Sequence, residues 1–304
     1  MQNKSMTNTL RTLTINSEHP VNKHLVDTLR HVDECIRAFG KKYFLGGAQA
    51  RDIMLVNVFG ISTTRATSDV DIGIFVEDWD TFKALKARLT ATGHFKEDPK
   101  RMHRLLNTST EIPIDLLPFG GLENVKGAVA WPPEMEQIMC VAGFAEAARS
   151  SIMVKINEQL MLPVASLPAL VVLKLFAWID RHADNKKDAI DIWIILNSYH
   201  EAGNEDRLYG ESREFSSESA WDLELAGVKL SGEDAAKICE PETANQLIKA
   251  FGPENLRKFK DDILSFRPRT RNNSDSLLVE KYIDAFWVYF RKTMEQNEKK
   301  ISQE

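Results

Sequence analysis

The sequence has few cysteines and no pair of them at metal-binding spacing. Cys35, Cys140 and Cys239 lie about a hundred residues apart, and none belongs to a C-x-x-C motif. This excludes a disulfide framework and a cysteine-based zinc site. Sparse, unpaired cysteines are typical of a reducing compartment, so we expect a cytoplasmic protein.

The sequence also lacks a long hydrophobic run and a secretory signal. Its most apolar helical stretch, Leu167 to Ile179, is 13 residues long and contains Lys174. A membrane-spanning helix needs about 20 apolar residues. The first twenty residues are polar throughout, without the apolar centre of a signal peptide. We therefore expect no membrane partner, and a flexible leader over residues 1–20.

An excess of basic charge is absent as well. The chain of 304 residues has 39 Lys and Arg against 44 Asp and Glu, a net charge of −5. Any contact with nucleic acid must therefore come from a local basic patch. Two clusters qualify, although each is more typical of solvated surface: Lys96, Lys100, Arg101, His103 and Arg104, and then Arg267, Arg269 and Arg271.

The hydrophobic pattern divides the chain near residue 162. Before that point it predicts helices over 21–39, 48–58 and 79–92 and strands over 43–45, 70–76 and 111–117. Residues 103–106 are a candidate antiparallel partner, and residues 144–159 could hold a further strand or two. After residue 163 the pattern is helical over 168–182, 186–199, 218–225, 232–239, 242–251, 254–264 and 275–298. We predict an α/β domain over 21–162 and a helical domain over 163–304.

A pair of carboxylates opens the strand over 70–76. Asp69 and Asp71 are two residues apart and project to the same face of an extended chain. Such like charges repel unless a cation lies between them, and hard oxygen ligands select Mg²⁺ or Mn²⁺. Asp115 ends another apolar strand, and if the strands are neighbours, three carboxylates could hold two cations around a phosphate. Alternatively, Asp69 and Asp71 are solubilising residues of an edge strand and Asp115 is an acid of a loop.

Two glycines separate the strand over 43–45 from the helix that follows. Gly46 and Gly47 would let the backbone approach a phosphate closely, and the helix start offers free N–H groups. A plain helix-entry turn is the alternative. The segment matches neither the P-loop nor the dinucleotide-binding motif.

One lysine interrupts the most apolar helix. Lys174 lies among leucines, valines and aromatic residues, where a charge is costly unless it is paired or used. Asp188 and Asp191 share a face of the next helix. Either Lys174 and Asp191 form a structural ion pair between the helices, or Lys174 binds a triphosphate and Asp191 orients it.

In their order along the chain, these residues resemble the pattern of the AbiEii/AbiGii-type nucleotidyltransferases. This family is a branch of the polymerase-β-like nucleotidyltransferases and includes toxins of toxin–antitoxin pairs. Its pattern is a Gly-Gly turn, R-x-T-x-D-x-D, a later strand Asp, a helical Lys and R…K-D-x-x-D. The matching residues are Gly46 and Gly47, then Arg65, Thr67, Asp69 and Asp71, then Asp115, Lys174, Arg181, Lys187, Asp188 and Asp191.

The resemblance implies an α+β fold, in which a polymerase-β-like nucleotidyltransferase domain with a mixed sheet is followed by a helical domain. It also implies transfer of a nucleoside monophosphate from an NTP to a hydroxyl, with release of pyrophosphate. The acceptor could be tRNA or another RNA, a protein or a small molecule. The protein would be the toxin of a toxin–antitoxin or phage-defence system, with a cognate antitoxin as its partner in the first case. A catalytically inactive nucleotide-binding or regulatory protein of the same fold is the alternative.

The resemblance further assigns roles within the site. Asp69, Asp71 and Asp115 would bind Mg²⁺ or Mn²⁺, and Asp115 would accept the proton of the acceptor hydroxyl. Lys174 and Asp191 complete the catalytic set. The predicted nucleotide-binding residues are Gly46, Gly47, Arg65, Thr67, Ser68, Lys174, Lys187 and Asp188.

A phosphatase with a D-x-D nucleophile is a disfavoured alternative. In such phosphatases the aspartates follow a buried apolar strand, whereas in this sequence the apolar run comes after Asp69.

Overall fold

A computed structural model describes residues 12–63, 67–266 and 273–301. Within these ranges the chain forms a mixed sheet, a small two-stranded ribbon and a series of helices. The strands are β1 Thr12–Thr14, β2 Tyr43–Gly46, β3 Val70–Val76, β4 Phe95–Glu97, β5 Arg104–Asn107, β6 Pro113–Gly120, β7 Ala128–Ala130, β8 Ile138–Cys140, β9 Ile152–Lys155 and β10 Met161–Val164. The helices are α1 Lys23–Ala38, α2 Gly47–Asp52, α3 Trp79–Ala91, α4 Phe144–Arg149, α5 Leu167–Arg181, α6 Lys187–Ser198, α7 Glu205–Tyr209, α8 Arg213–Glu218, α9 Leu223–Ile238, α10 Pro241–Ala250, α11 Pro253–Ser265 and α12 Asn273–Ile301.

The main sheet has eight strands in the order β1-β9-β10-β2-β3-β6-β5-β4. β3 lies near its centre, antiparallel to β2 and parallel to β6, and β5 runs antiparallel to β6. Along β3, Val70, Ile72 and Ile74 are buried in the core. Because side chains alternate along a strand, Asp71 faces the opposite side. A strand with one apolar face therefore presents its carboxylate to the other face.

The helical half packs against helices of the first half and against the small ribbon through α5 and α6. Ser166 caps the start of α5 by accepting a hydrogen bond from the Ala169 N–H, and a proline follows in the first turn. α5 then contacts α2, α4 and β8, and α6 also contacts α2. A single hydrophobic core includes buried residues of both halves. Within the described ranges, no helix has the length and apolar character required to cross a membrane.

Several predicted elements are confirmed, with small changes at their ends. The strand over 70–76 and the antiparallel pairing of the segment after His103 are as predicted. The helix over 48–58 begins at Gly47 and continues beyond Asp52 as a π-helical turn, Ile53–Val58. The strand over 111–117 extends to Gly120, and β10 continues past residue 162 to Val164.

Three predictions about local structure are wrong. The flexible leader over residues 1–20 is too long, because Thr12–Thr14 forms β1 at the edge of the sheet. The segment over 144–159 holds one of the predicted strands, β9, but its first part, Phe144–Arg149, is a helix that follows Gly143, whose φ is +84°. The two short helices predicted over 218–225 and 232–239 are largely one helix, α9.

The continuity of α9 depends on its internal glycines. A Cβ on Gly227 would lie 2.7 Å from the backbone N of His200, and one on Gly232 would lie 2.4 Å from the carbonyl oxygen of Phe286. These glycines let α9 approach α12 and the end of α6 closely. The sequence pattern suggested a break at Gly232, but the glycine is needed for packing.

Candidate active site

One row of residues crosses four neighbouring strands at one level of the sheet. Gly46 on β2 is opposite Asp71 on β3, Asp71 is opposite Asp115 on β6, and Asp115 is opposite Arg104 on β5. Asp71 and Asp115 therefore occupy directly paired positions of two parallel strands. The sheet register brings together carboxylates that are 44 residues apart in the sequence.

A cavity of about 240 Å³ lies next to this row. It is lined by Phe44, Gly46, Gly47, Asp71, Gly73, His103, Asp115, Leu117, Met139, Cys140, Ala142, Phe144, Leu170, Leu173, Lys174, Phe176, Ala177, Asp180 and Arg181. The charged residues come from the sheet and from α5, and much of the remaining wall is apolar. The cavity thus combines a charged region with a hydrophobic one between the sheet and the helical half.

The backbone at Gly47 passes directly beside the Asp71 carboxylate. Gly47 has a φ of +64°, a conformation that other residues adopt at a cost. A Cβ placed on Gly47 would lie 1.8 Å from Asp71 Oδ2. Both the turn and the close approach therefore require glycine here. The predicted approach of this turn to a phosphate stays a prediction, whereas its close approach to Asp71 is observed.

The Asp71 carboxylate lies in an unfavourable electrostatic environment. Burial raises the pKa of Asp71 to about 6, and the negative charges of Asp115 and Asp69 act in the same direction. Lys174 and Arg181 oppose this shift of the pKa without cancelling it. Asp69, whose side chain is 45% exposed, accepts a hydrogen bond of 2.7 Å from Thr67 Oγ1. A cation between these carboxylates would relieve their repulsion.

The third carboxylate, that of Asp115, is hydrogen-bonded to Arg104. Its Nε and Nη2 each donate a hydrogen bond of 2.6 Å to a different oxygen of Asp115. The same guanidinium lies 3.8 Å from Asp69 Oδ2, and His103 Nε2 lies 3.8 Å from Asp115 Oδ1. Burial lowers the pKa of His103, although Asp115 acts against this shift. The sequence places Arg104 in a basic cluster typical of solvated surface, whereas in the structure its guanidinium is bound to Asp115.

The donor chemistry fits a divalent metal, although the carboxylates do not yet form a complete ligand set. Among the described residues, no group of three or more His, Cys, Asp or Glu side chains is arranged to hold a metal ion. Asp115 is bound to Arg104, whereas Asp71 lies beside a glycine that leaves room next to its carboxylate. Asp69, Asp71 and Asp115 supply carboxylate oxygens, which are the donors that Mg²⁺ and Mn²⁺ select. The residues therefore suit such an ion.

Lys174 is held between two aspartates. Its Nζ lies 2.8 Å from Asp188 Oδ1 and 2.8 Å from Asp191 Oδ2. Burial disfavours the charged ammonium, but Asp191 and Asp188 outweigh this effect and raise the pKa of Lys174. Lys174 also lines the cavity. The structural pairing considered from the sequence is present, and it involves two aspartates rather than one.

An arginine that sequence analysis passed over continues this network. Arg51 on α2 is fully buried and pairs with Asp191, and its Nη2 lies 2.6 Å from Asp52 Oδ1. This links α2, next to the sheet, to α6 in the helical half. The available signal was an adjacent Arg-Asp pair in an otherwise largely apolar helix, since a charge buried there requires a partner.

Arg181 extends the network to the cavity. Its Nε and Nη2 donate hydrogen bonds of 2.7 and 3.0 Å to Oδ2 and Oδ1 of Asp188, while half of its side chain stays exposed. Burial opposes ionisation of Asp188, but Lys174 and then Arg181 hold its pKa below the usual value. Asp188 thus fixes two cations, of which Arg181 is the more accessible.

The other predicted site residues are distributed unevenly. Gly46, Gly47, Asp71, Asp115 and Lys174 line the cavity, and Asp188 and Asp191 lie buried behind Lys174. Ser68 and Lys187 are exposed and are not among the residues that line the cavity. The predicted contacts at Arg65, and the basic cluster of Arg267, Arg269 and Arg271, lie outside the described residues.

Comparison with known families identifies the class of protein that this fold and cavity represent. The family described as "Nucleotidyl transferase AbiEii toxin, Type IV TA system" matches residues 37–291. The protein is a nucleotidyltransferase. The chain belongs to the AbiEii family, which confirms the resemblance found in the sequence. The α+β fold predicted for such an enzyme is also confirmed.

Two solved structures are also similar to this chain. The antibiotic-resistance factor ANT(2'')-Ia is 14% identical to this chain, with a TM-score of 0.36, and the match covers 66% of this chain and 98% of that one. An antigenic nucleotidyltransferase-like protein from Paracoccidioides brasiliensis is 16% identical, with a TM-score of 0.39, and the match covers 65% of this chain and 93% of the other. No curated protein matches the chain.

Proposed function

We propose that this nucleotidyltransferase uses Mg²⁺ or Mn²⁺ to move a nucleoside monophosphate from an NTP to an acceptor hydroxyl. The observation that carries the proposal is the row of Gly46, Asp71 and Asp115 beside the cavity that Lys174 and Arg181 also line. A glycine turn, paired carboxylates and two cations at one cavity suit a metal-bound triphosphate.

Asp69, Asp71 and Asp115 are the residues that would hold the divalent cations. Bound there, the cations would neutralise phosphate charge and make the acceptor hydroxyl more acidic. Asp115 is the carboxylate proposed to accept the proton of that hydroxyl. Gly47 keeps the space beside Asp71 free of a side chain, because even a Cβ would collide with the carboxylate.

The two cations of α5 are proposed to bind the triphosphate. Arg181 presents a half-exposed guanidinium to the cavity, and Asp188 fixes its orientation through two hydrogen bonds. Lys174 is held by Asp188 and Asp191, so it supplies a fixed positive charge without needing to reorient. Thr67 and the Gly46-Gly47 turn are further proposed phosphate contacts.

The apolar side of the cavity suits the nucleoside. Phe44 and Phe144 lie edge to face with ring centroids 5.7 Å apart, and Leu173 and Phe176 of α5 line the same cavity. A flat nucleobase buries well against aromatic and aliphatic side chains. The substrate would then extend from this wall to the carboxylates.

The biological role follows from the family as a proposal. The matched family is described as toxins of a type IV toxin–antitoxin system, so we propose a cytoplasmic toxin with a cognate antitoxin. A tRNA is the proposed acceptor, and a protein or small-molecule hydroxyl is the alternative. Lys100 and Arg101 are exposed and belong to the basic cluster before β5, so we propose them as RNA contacts.

Label transfer tests the proposal directly. The purified protein would be incubated with each of the four α-³²P-labelled NTPs, Mg²⁺ and separate RNA, protein and small-molecule fractions. We expect one fraction to become labelled by the wild-type protein and not by Asp71→Asn. Equal labelling by both proteins would contradict the role of Asp71. NTP binding without transfer to any fraction would favour an inactive nucleotide-binding protein.

A further inference from the structure

The Arg104 guanidinium occupies the space next to two of the proposed metal ligands. It donates two hydrogen bonds of 2.6 Å to Asp115, one to each oxygen, and lies 3.8 Å from Asp69 Oδ2. Paired N–H···O bonds to a carboxylate are strong and directional. A positive group thus already interacts with two of the carboxylates that a divalent cation would need.

The strand pairing fixes this contact. Arg104 on β5 is directly opposite Asp115 on β6, and the Arg104 side chain is 13% exposed. The backbone register and the low exposure of the side chain together keep the Arg104 guanidinium beside Asp115. The neighbouring residue Arg101 has an exposed side chain, and Lys96 pairs with Glu111, far more exposed than Asp115. Arg104 is therefore distinct from the basic cluster to which its sequence position assigns it.

We propose that Arg104 is an internal counter-cation that competes with a divalent metal for Asp115 and Asp69. This inference rests on the proposed metal-dependent function. In the absence of metal, the guanidinium offsets the charge of Asp115 and reduces its repulsion with Asp69. A metal that binds Asp115 must displace at least one of the two hydrogen bonds, so Arg104 lowers the affinity of the site for the free ion.

The size of the effect of Arg104 on metal affinity follows from the interaction between its charge and that of the metal ion. Two unit charges about 4 Å apart interact by about 4 kcal/mol at an effective dielectric constant of 20, and about 1.4 kcal/mol changes an affinity tenfold. Removing the guanidinium should therefore tighten metal binding by at least about tenfold. If Arg104 instead served to position Asp115 for the metal, its removal would weaken binding.

Mn²⁺ titration followed by electron paramagnetic resonance tests the proposal on the full chain without NTP. Arg104→Met removes the charge and the paired hydrogen bonds, and Arg104→Lys keeps the charge but cannot reproduce the bonds of the planar guanidinium. Arg101→Met is the matched control, because it removes one arginine charge from the same segment. We expect tighter Mn²⁺ binding in Arg104→Met, an intermediate affinity in Arg104→Lys, and a change of less than about twofold in Arg101→Met.

Asp71→Asn separates failure of this inference from failure of the proposed function. Loss of Mn²⁺ binding in Asp71→Asn assigns the ion to this site. If that holds and Arg104→Met binds Mn²⁺ no more tightly than Arg101→Met, only the competition is overturned. If neither the wild-type protein nor Arg104→Met binds Mn²⁺, both proposals are overturned. Should Arg104→Met fail to fold by circular dichroism, Arg104→Lys decides: unchanged or weaker binding there also overturns the competition.

Discussion

At the scale of single residues, the ionised Asp71 carboxylate is expected to lower the free energy of unfolding of the metal-free protein. Burial raises the pKa of Asp71 from its ordinary value of 3.8 to about 6. Between these two pH values, the Asp71 carboxyl keeps its proton in the folded protein and has lost it in the unfolded chain. The stability contributed by this proton is present below about pH 4 and is lost as the pH rises through about 6.

Asp71→Asn should therefore stabilise the metal-free protein at neutral pH while abolishing nucleotidyl transfer. We expect a gain of about 1–2 kcal/mol at pH 7.5, after allowing for solvent screening of a partly exposed group, and almost none at pH 4. Thermal unfolding in EDTA at several pH values measures this difference. A lower melting temperature for Asp71→Asn at pH 7.5 would contradict the expected repulsion.

Lys174 should contribute much more to stability than Arg181. Replacing Lys174 with Ala leaves Asp191 and Asp188 buried without one of their cations, at a cost of about 3–5 kcal/mol. Arg181→Ala is the comparison, because Asp188 keeps Lys174 and half of the Arg181 side chain is exposed. We expect that variant to lose less than about 1 kcal/mol but to raise the KM for NTP.

Urea unfolding and initial-rate kinetics on both variants check this division. The double change Lys174→Met with Asp191→Leu should not restore stability, because Arg51 and Asp188 would each lose a partner. Full recovery in the double variant would show that Lys174 and Asp191 form an isolated pair. Similar stability losses in Lys174→Ala and Arg181→Ala would contradict the division of roles.

Residue types and spacing were sufficient to group Asp69, Asp71 and Asp115 as candidate metal ligands, but they indicated no such role for Arg104 or Arg51. Asp69 and Asp71 form a local pattern, and Asp115 ends a recognisable apolar strand. Arg104 and Arg51 acquire their roles from partners on other elements, 11 and 140 residues away. Such pairing depends on sheet register and helix packing, which the local pattern does not specify.

At the scale of elements, the turn from β2 to α2 should tolerate no side chain at Gly47. Gly47→Ala imposes both the cost of a positive φ and a Cβ 1.8 Å from Asp71 Oδ2. Gly93→Ala is a matched control, because Gly93 has a φ of +77° and nothing within 4 Å of its added Cβ. Both variants incur the conformational cost of about 1 kcal/mol, but only the first disturbs the site.

We therefore expect Gly93→Ala to retain activity and Gly47→Ala to lose both activity and additional stability. Melting temperature and label transfer, measured on the two variants together, check this difference. Equal melting temperatures and equal activities would show that the Asp71 carboxylate moves aside without consequence.

Elements with a strong pattern were predictable, and those defined by contacts were not. β3 shows a clear alternation, and its bounds match the prediction. β1 has three residues, two of them threonine, and it exists because it pairs with β9. α9 contains Gly227 and Gly232, which lower helix propensity but permit close packing. In both cases tertiary contacts outweigh the local preference.

At the scale of the whole molecule, the sheet and the helical half should unfold together. Arg51 on α2 pairs with Asp191 on α6, and α5 packs against α2 and α4. Four of the six tryptophans lie after residue 163: Trp178, Trp193, Trp221 and Trp287. Tryptophan fluorescence therefore reports mainly on the helical half, whereas far-UV circular dichroism reports on both.

Equilibrium unfolding in urea should give coincident curves for these two signals. The reason is that the two halves share one hydrophobic core and are joined by the buried ion pair of Arg51 and Asp191. Arg51→Met should lower the midpoint of both curves equally. Two separated transitions in the wild-type protein would instead indicate halves that fold independently.

The register of β2, β3, β6 and β5 has a consequence for how this chain can change in length. Asp71 faces Asp115 only because Val70 pairs with Ile114, and this pairing continues to Val76 and Gly120. Inserting one residue early in β6 would turn Asp115 towards the core and an apolar neighbour towards the cavity. Insertions and deletions that preserve activity are therefore restricted to the connections between these strands, and the backbone ladder constrains evolution of the enzyme as strictly as its acidic side chains do.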